Sequence, residues 1–300
     1  MTTGFTIRPA RPDDAEAVAS VRRTVFPYRV LSAEMIRHAI TAERPREQFV
    51  ALVAERDGSV VGWGNAGLNI WTSTPGQGKV SILVHPDHRR LGVGSELSDR
   101  LHRHLTEVGA LRTDSFIQQD SLGFATNRGY DEIRRLHYSG VDLVELPDQP
   151  PTPDGVTLRS YDELDPRAAY TAEMLASVDE PTDTPTDSIE YDDWIKNFWN
   201  DPAIDKRLSF AALVGDEVAS FTISETDGDR LWSSFSGTVP AHRGRGLSKL
   251  AKVAALHRAA QAGVASAYTS NDDRNGPMLA VNDWLGYRRT ATEIGAARTL

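Results

Sequence analysis

The chain has 300 residues, 40% hydrophobic and 25% charged, with a net charge of −9, and that length suits two domains that each hold a core. It contains no Cys, which excludes disulfides, thiolate metal sites and an enzyme intermediate carried on cysteine; no metal site is expected. The acidic balance speaks against nucleic acid as a partner and suits a cationic substrate, and no apolar run is long enough to span a bilayer.

Phe5-Thr-Ile-Arg8 reads as a first strand, followed by a helix over residues 12–25 and a second helix that Ser32 can cap. Residues 48–54 and the run from Ser59 onward form a hairpin around Asp57-Gly58. Gly62-Trp-Gly-Asn-Ala-Gly67 matches a dinucleotide-binding G-x-G-x-x-G, but β-rich residues and Pro75 follow it. No helix opens there, and without a helix N-terminus the motif has no mechanism. Residues 79–84 form a strand that runs into Val84-His-Pro-Asp-His-Arg-Arg-Leu-Gly-Val-Gly94 and then a helix with the apolar face Val93, Leu97, Leu101, Leu105 and Val108. A strand over 113–117 and the pair Gly129-Tyr130 close this half.

Residues 146–155 are proline-rich and read as a stiff, extended connector. The script then repeats. Val156-Thr-Leu-Arg159 opens a strand, and Asp165-Pro166 starts a helix with a capping carboxylate and proline at its first position. Trp194, Phe198 and Trp199 close a further helical segment, and residues 208–214 and 218–224 flank a turn at Gly215-Asp216. A strand over 231–239 feeds Thr238-Val-Pro-Ala-His-Arg-Gly-Arg-Gly-Leu-Ser248, and a helix follows with Leu247, Leu250, Val253, Ala254 and Leu256 at helical spacing. A strand over 265–269 and Gly286-Tyr287 end the second half. Arg8 and Arg159 lie 151 residues apart, Arg89 and Arg243 154, Gly129 and Gly286 157. A slowly growing offset describes two copies of one domain with short insertions, too long a period for a solenoid. The expected fold class is α+β: two tandem domains, each with the order β-α-α-β-β-β-α-β-α-β and a mixed, mostly antiparallel sheet flanked by helices. The expected boundaries are 1–145, a linker at 146–155, and 156–300.

Both glycine turns open helices, where backbone amides have no intrahelical acceptor and face the positive end of the dipole, so each is an anion site suited to a phosphate. Both fit (Gln/Arg)-x-x-Gly-x-(Gly/Ala), the second with Ser248 in the last position, and both have Val and Pro just before. This pattern resembles the pyrophosphate-binding loop of the GCN5-related N-acetyltransferases (GNAT), here in a tandem form similar to actinobacterial ones. The resemblance implies a splayed sheet that grips the pantetheine of acetyl-CoA like an extra strand, with the pyrophosphate on the loop amides. The positions it marks are Thr238, Val239, Arg243, Gly244, Arg245, Gly246, Leu247 and Ser248 in the second copy, and Val84, Arg89, Arg90, Leu91, Gly92, Val93, Gly94 and Ser95 in the first.

Further along, Asn275 stands where the family's coenzyme-contacting Asn would be and Asn282 where its general-acid Tyr would be; the first copy has Gln118 and Ala125 there. The resemblance therefore implies a catalytic C-terminal half and a degenerate N-terminal one. The reaction implied is direct attack of an amine on the thioester, with Glu225 or Asp229 as candidate bases and the Thr238 and Val239 amides as candidate donors to the thioester carbonyl. His85, His88 and His242, beside the loops, read as packed or surface histidines. Residues 180–193 are rich in carboxylates, and Asp183, Asp187 and Glu190 are expected to border the acceptor site. The expected function is acetyl-CoA-dependent acetylation of a primary amine on a small cationic molecule or peptide, in the cytoplasm, by a monomer or homodimer with no nucleic-acid or membrane partner. The alternatives are a non-catalytic acyl-CoA-binding or sensing protein, or an enzyme for a different acyl-CoA.

Overall fold

The computed structural model describes residues 4–178 and 180–300. Its first run of elements is β1 (Thr6–Pro9), α1 (Ala15–Val25), α2 (Ala33–Thr41), β2 (Val50–Arg56), β3 (Ser59–Leu68), β4 (Gln77–Val84), α3 (Val93–Glu107), β5 (Arg112–Gln118), α4 (Leu122–Thr126) and β6 (Asp131–Asp142). The second run repeats the order with β7 (Val156–Ser160), α5 (Pro166–Ser177), α6 (Tyr191–Trp194), β8 (Phe210–Val214), β9 (Glu217–Asp227), β10 (Arg230–Thr238), α7 (Leu247–Gln261), β11 (Ser266–Asp272), α8 (Gly276–Trp284) and β12 (Arg288–Thr299). The α+β class expected from the sequence is the one found: among the described residues, the pairings within each unit are antiparallel apart from β4 with β5 and β10 with β11.

Local chemistry sets the element ends. Ser32 Oγ accepts from the Met35 amide at 3.2 Å to cap α2, and Asp165 Oδ1 accepts from the Arg167 amide at 3.2 Å to cap α5. Asp57 and Gly58 both have positive φ, 51° and 77°, as a tight two-residue hairpin turn requires. Val93, Leu97, Leu101 and Leu105 of α3 are buried against the sheet. Gly62 and Gly64 of the rejected dinucleotide motif sit inside β3, where a Cβ on Gly64 would stand 2.7 Å from Leu101 Cδ1. Those glycines admit a helix; they do not open one.

The chain divides into two units, one of residues up to Arg135 together with Thr292–Leu300 and the other Leu136–Ala291. In the first, residues 293–299 of β12 pair with 112–118 of β5; in the second, residues 136–142 of β6 pair with 266–272 of β11. Each unit thus takes its final strand from the other half of the sequence. A boundary at residues 146–155 assigns both strands the other way, because a strand's alternating pattern does not name the sheet it joins. In the first unit, β12 is held by Glu293, which is wholly buried and accepts from Tyr28 Oη at 2.9 Å, from Arg29 Nε at 3.0 Å and from Arg29 Nη2. Leaving such a carboxylate without these donors would cost several kcal/mol.

The core of the second unit contains a polar cluster of its own. Glu173 of α5, 3% exposed, accepts from Tyr161 Oη at 3.3 Å and from Trp194 Nε1 at 2.8 Å. Burial outweighs these two donors and pushes its carboxyl up to about 7. The folded state therefore holds a proton that the unfolded chain releases near pH 4.3. That stabilisation is complete below the unfolded value and is lost as pH rises through about 7. Glu173→Gln, neutral at every pH, is expected to raise stability by about 1–3 kcal/mol at pH 8 and by little at pH 4.5, as read from urea unfolding. An equal effect at both pH values would contradict this account.

Candidate active site

In the second unit, β10 and β11 pair only over three residues, 230–232 with 266–268, after which both strands run on without a common register. The first unit has the same opening, with β4 and β5 paired only over 77–79 and 112–114. Each opening forms a cavity whose far end is a glycine loop and the start of a helix. The second-unit cavity, about 600 Å³, is lined by residues 233–238 of β10, 269–271 of β11, the loop at 242–249, Lys252 and the start of α8. The first-unit cavity, about 420 Å³, is lined by parts of β4, β5 and the loop, with Phe124 and Arg128 added.

The loops share a construction. Arg243 Nε donates to the Thr238 carbonyl at 3.1 Å, and Arg89 Nε to the Val84 carbonyl at 3.3 Å, so each arginine ties the loop back to its strand. Gly246 and Gly92 occupy the N-cap positions of α7 and α3 with φ of 75° and 88°, and neither provides a side chain to the first-turn amides. Those amides are open to an external acceptor, which a phosphate supplies. Ser248 Oγ is buried in the second loop with no hydrogen-bond partner, and Ser248 lines the cavity. These features fit a pyrophosphate-bearing coenzyme.

Four differences separate the units. First, Gly244 takes φ 75° in the second loop, where the first has Arg90 at φ 64°, a conformation that disfavours a side chain. Second, the register of β10 on β9 shifts between Ser233 and Phe235, leaving Ser234 in a bulge beside the opening, while β4 on β3 is regular. Third, the first loop is tied up internally: Arg89 Nη1 donates to Asp120 Oδ2 at 2.8 Å, and Arg128 Nη2 to Ser95 Oγ at 2.7 Å. Fourth, Gln118 donates to the Val25 carbonyl at 2.6 Å and to Tyr28 Oη at 3.3 Å, so its amide serves the first unit's packing.

One expected role is corrected. The Val239 amide donates to the Ala219 carbonyl at 2.9 Å and is not available to a thioester carbonyl. Strand pairing continues one residue beyond the end of β10, and the sequence carries no sign of it. Asn275 Oδ1 accepts from the Met278 amide at 3.3 Å and caps α8, while the residue itself lines the cavity. Asn282 is 4% exposed and donates from Nδ2 to Asn271 Oδ1 at 2.6 Å, lying behind the lining residue Asn271. Among the described residues that line the cavity there is no Tyr.

The two candidate bases part company. Asp229 is exposed in the turn between β9 and β10, and its carbonyl accepts from the Ala265 and Ser266 amides at 2.8 and 3.3 Å. Glu225 pairs in register with Trp232, on the same side of the sheet as Ile223 and Phe221. That side faces α5, where a Cβ on Gly237 would stand 2.7 Å from Ala176 Cβ. Burial pushes the Glu225 carboxyl up to about 7, against a hydrogen bond from Ser234 of the bulge. Of the acidic segment, Glu180 lines the cavity, Asp183 lies 3.8 Å from Arg274, and Glu190 holds the N-cap position of α6. Arg274 in turn grips Asp272 at 2.8 and 2.9 Å, holding that carboxyl down at about 2.

The opposite side of the sheet carries a group that sequence reasoning passed over. Lys252 of α7 donates to Ser233 Oγ at 2.9 Å and Ser236 Oγ at 3.3 Å, and Thr222 Oγ1 lies 2.8 Å from Ser236 Oγ. The available signal was a lysine set among Leu250, Ala251 and Val253 on an apolar helix stripe.

A mixed sheet that opens beside a bulge and ends on an amide-lined helix start suits an extended ligand that carries phosphate. Residues 15–130 match the model of the acetyltransferase (GNAT) family. The chain is 26% identical over 300 residues to a mycothiol acetyltransferase of Rhodococcus erythropolis, covering 95% of this chain and 96% of that one. It is 25% identical over 253 residues to a mycothiol acetyltransferase of Actinosynnema mirum, covering 81% and 82%. Its fold follows a GCN5-related N-acetyltransferase from Sphaerobacter thermophilus with a TM-score of 0.75 at 20% identity, over 98% of this chain and 95% of that one. A tandem GNAT protein from the clavulanic acid biosynthesis pathway matches with a TM-score of 0.75 at 18% identity, over 98% of both chains. Residues 15–130 thus resemble the acetyltransferase (GNAT) family, and the fold of the whole chain is that of tandem GNAT proteins. Among the described residues no helix is long and apolar enough to cross a membrane, and no cluster of three or more His, Asp or Glu could hold a metal ion.

Proposed function

We propose that the second unit is the active one and transfers the acetyl group of acetyl-CoA to a primary amine of a small molecule. The observation that carries this reading is the opening between β10 and β11, which combines a bulge at Ser234, a loop with glycine at both left-handed positions and a cavity of about 600 Å³. The coenzyme supplies the activated acetyl group. Unpaired edges of β10 and β11 hold its amide arm as an added strand, and the first-turn amides of α7 with Ser248 hold its phosphates. The bulge turns the Ser234 backbone out of the ladder, where its N–H can meet the developing oxyanion. Glu225, poised near neutral pH on the α5 side, takes the proton of the incoming amine directly or through water. Glu180, which lines the cavity, favours a cationic acceptor, and Asp183 lies beside the lining residue Arg274. Because relatives are mycothiol acetyltransferases, the form of mycothiol that lacks its acetyl group is the first acceptor to try.

The loops predict a direct binding result. Acetyl-CoA at about 100 times its Kd is expected to stabilise the protein by about 2.7 kcal/mol, seen as a rise in melting temperature. Release of CoA is then followed by a thiol reagent across a panel of amines, with no background from the protein because it has no Cys. An unchanged melting temperature at saturating acetyl-CoA sinks the coenzyme assignment. Binding without release on any amine favours an acyl-CoA-binding role, the reading that the buried Asn282 supports.

A further inference from the structure

Lys252 is a buried lysine held by two serine hydroxyls and no counter-charge among the described residues. It lies six residues past Gly246 on α7, is 2% exposed, and lines the second-unit cavity where β10 leaves β11. Its ammonium group meets only hydroxyls, Ser233 Oγ and Ser236 Oγ, with the Tyr287 ring centre 5.8 Å away. Among the described residues no carboxylate pairs with it. Burying a cation without a counter-charge is costly, and an apolar side chain would pack the stripe more favourably. The repeat does not require it either, since the equivalent position in the first unit is Ser98, which contacts His102 Nδ1 at 3.2 Å. Ser233, its nearer partner, is the residue at which the β10 bulge begins.

We propose that Lys252 Nζ meets the sulfur of the bound thioester and protonates that sulfur as it leaves. This rests on the reading that the second unit binds acetyl-CoA. In the step, a bond forms between the acceptor nitrogen and the acetyl carbon, and the carbon–sulfur bond breaks with its electron pair on sulfur. The Lys252 proton passes to the sulfur to give the free thiol, the acceptor nitrogen loses its proton to Glu225 or water, and water restores the ammonium group. Desolvation pushes the Lys252 amine down to about 7, which eases its loss of a proton to the departing sulfur. The other ionisable groups lining the cavity are Glu180, His242, Arg243, Arg245, Lys249 and Arg274. Tyr287, whose ring faces Lys252, has its ionisation raised by burial and keeps its proton. Asn282 is committed to Asn271, which leaves Lys252 as the proton source beneath the bulge.

The test compares CoA with desulfo-CoA, which lacks the sulfur, by titration calorimetry on the full chain and on Lys252→Met. A contact between Nζ and sulfur predicts that the wild type binds CoA about tenfold more tightly than desulfo-CoA. In Lys252→Met the preference falls below about twofold, while desulfo-CoA binds both proteins equally, an outcome that a packing role for the lysine would not give. Equal affinities in the wild type overturn the proposal without any variant, and so does a preference that survives in Lys252→Met. Failure of the wild type to bind either ligand overturns the coenzyme reading and this one with it.

Discussion

A chain ending at Ala291 is expected to lose its first folded unit and keep its second. The deletion removes the seven residues that pair with β5, from Glu293 opposite Gln118 to Thr299 opposite Arg112. With them go the buried side chains of Ile294, Ala296 and Ala297. One core isoleucine alone is worth about 2–5 kcal/mol. The carboxylate that receives Tyr28 and Arg29 is lost as well, so the connection between α1 and α2 loses its anchor on the sheet. Together these losses rival the ~5–15 kcal/mol that holds a domain folded. β5 would also become an unprotected edge, prone to pairing with other chains. Hydrogen exchange should show amides of β1 to β5 and α3 losing protection while β7 to β11 and α7 retain theirs. Loss of protection confined to residues 156–285 would mean that the last strand belongs with its own half of the sequence.

What the sequence made legible is what local chemistry decides. The strand–turn–helix loops, the caps at Ser32 and Asp165 and the hairpin at Asp57-Gly58 each depend on a few adjacent residues, and each is present. The features that were not legible depend on partners far away in the chain. The strand exchange is decided by which sheet β6 and β12 reach, and Glu293 meets Tyr28 across 265 residues. The bulge at Ser234 arises from a mismatch with β9 that β10 alone does not display. Asn275 shows the limit of reading one motif: the residue lines the cavity, but its side chain caps α8, which any helix start asks of an asparagine. Lys252 was visible as a residue but not as a site, because only the fold shows that its helix face looks into an opening in the sheet.

Replacing Gly246 by Glu is expected to abolish both the acetyl-CoA-induced rise in melting temperature and CoA release, whereas Gly92→Glu leaves most of each. Nothing lies within 4 Å of a Cβ placed on Gly246, so the side chain would project into the space in front of the α7 amides and bring a like charge against a phosphate. The residue also has φ 75°, which costs any side chain about 1–2 kcal/mol. Gly246→Ala carries that backbone cost without the charge and is the control; it should keep most of the ligand effect. Wild type at about 1,000 times Kd should gain about 4 kcal/mol from the coenzyme, and Gly246→Glu less than about 1. The first loop starts from a poorer position, with Arg90 at φ 64°, Arg89 paired to Asp120, and Arg128 covering Ser95. A charge at Gly92 therefore has less binding to remove. Calorimetric stoichiometry adds a second readout, since a functional first loop would bring the number of coenzymes per chain to two. Loss of activity in Gly92→Glu with Gly246→Glu unaffected would move the active site into the first unit, where the family match at residues 15–130 lies.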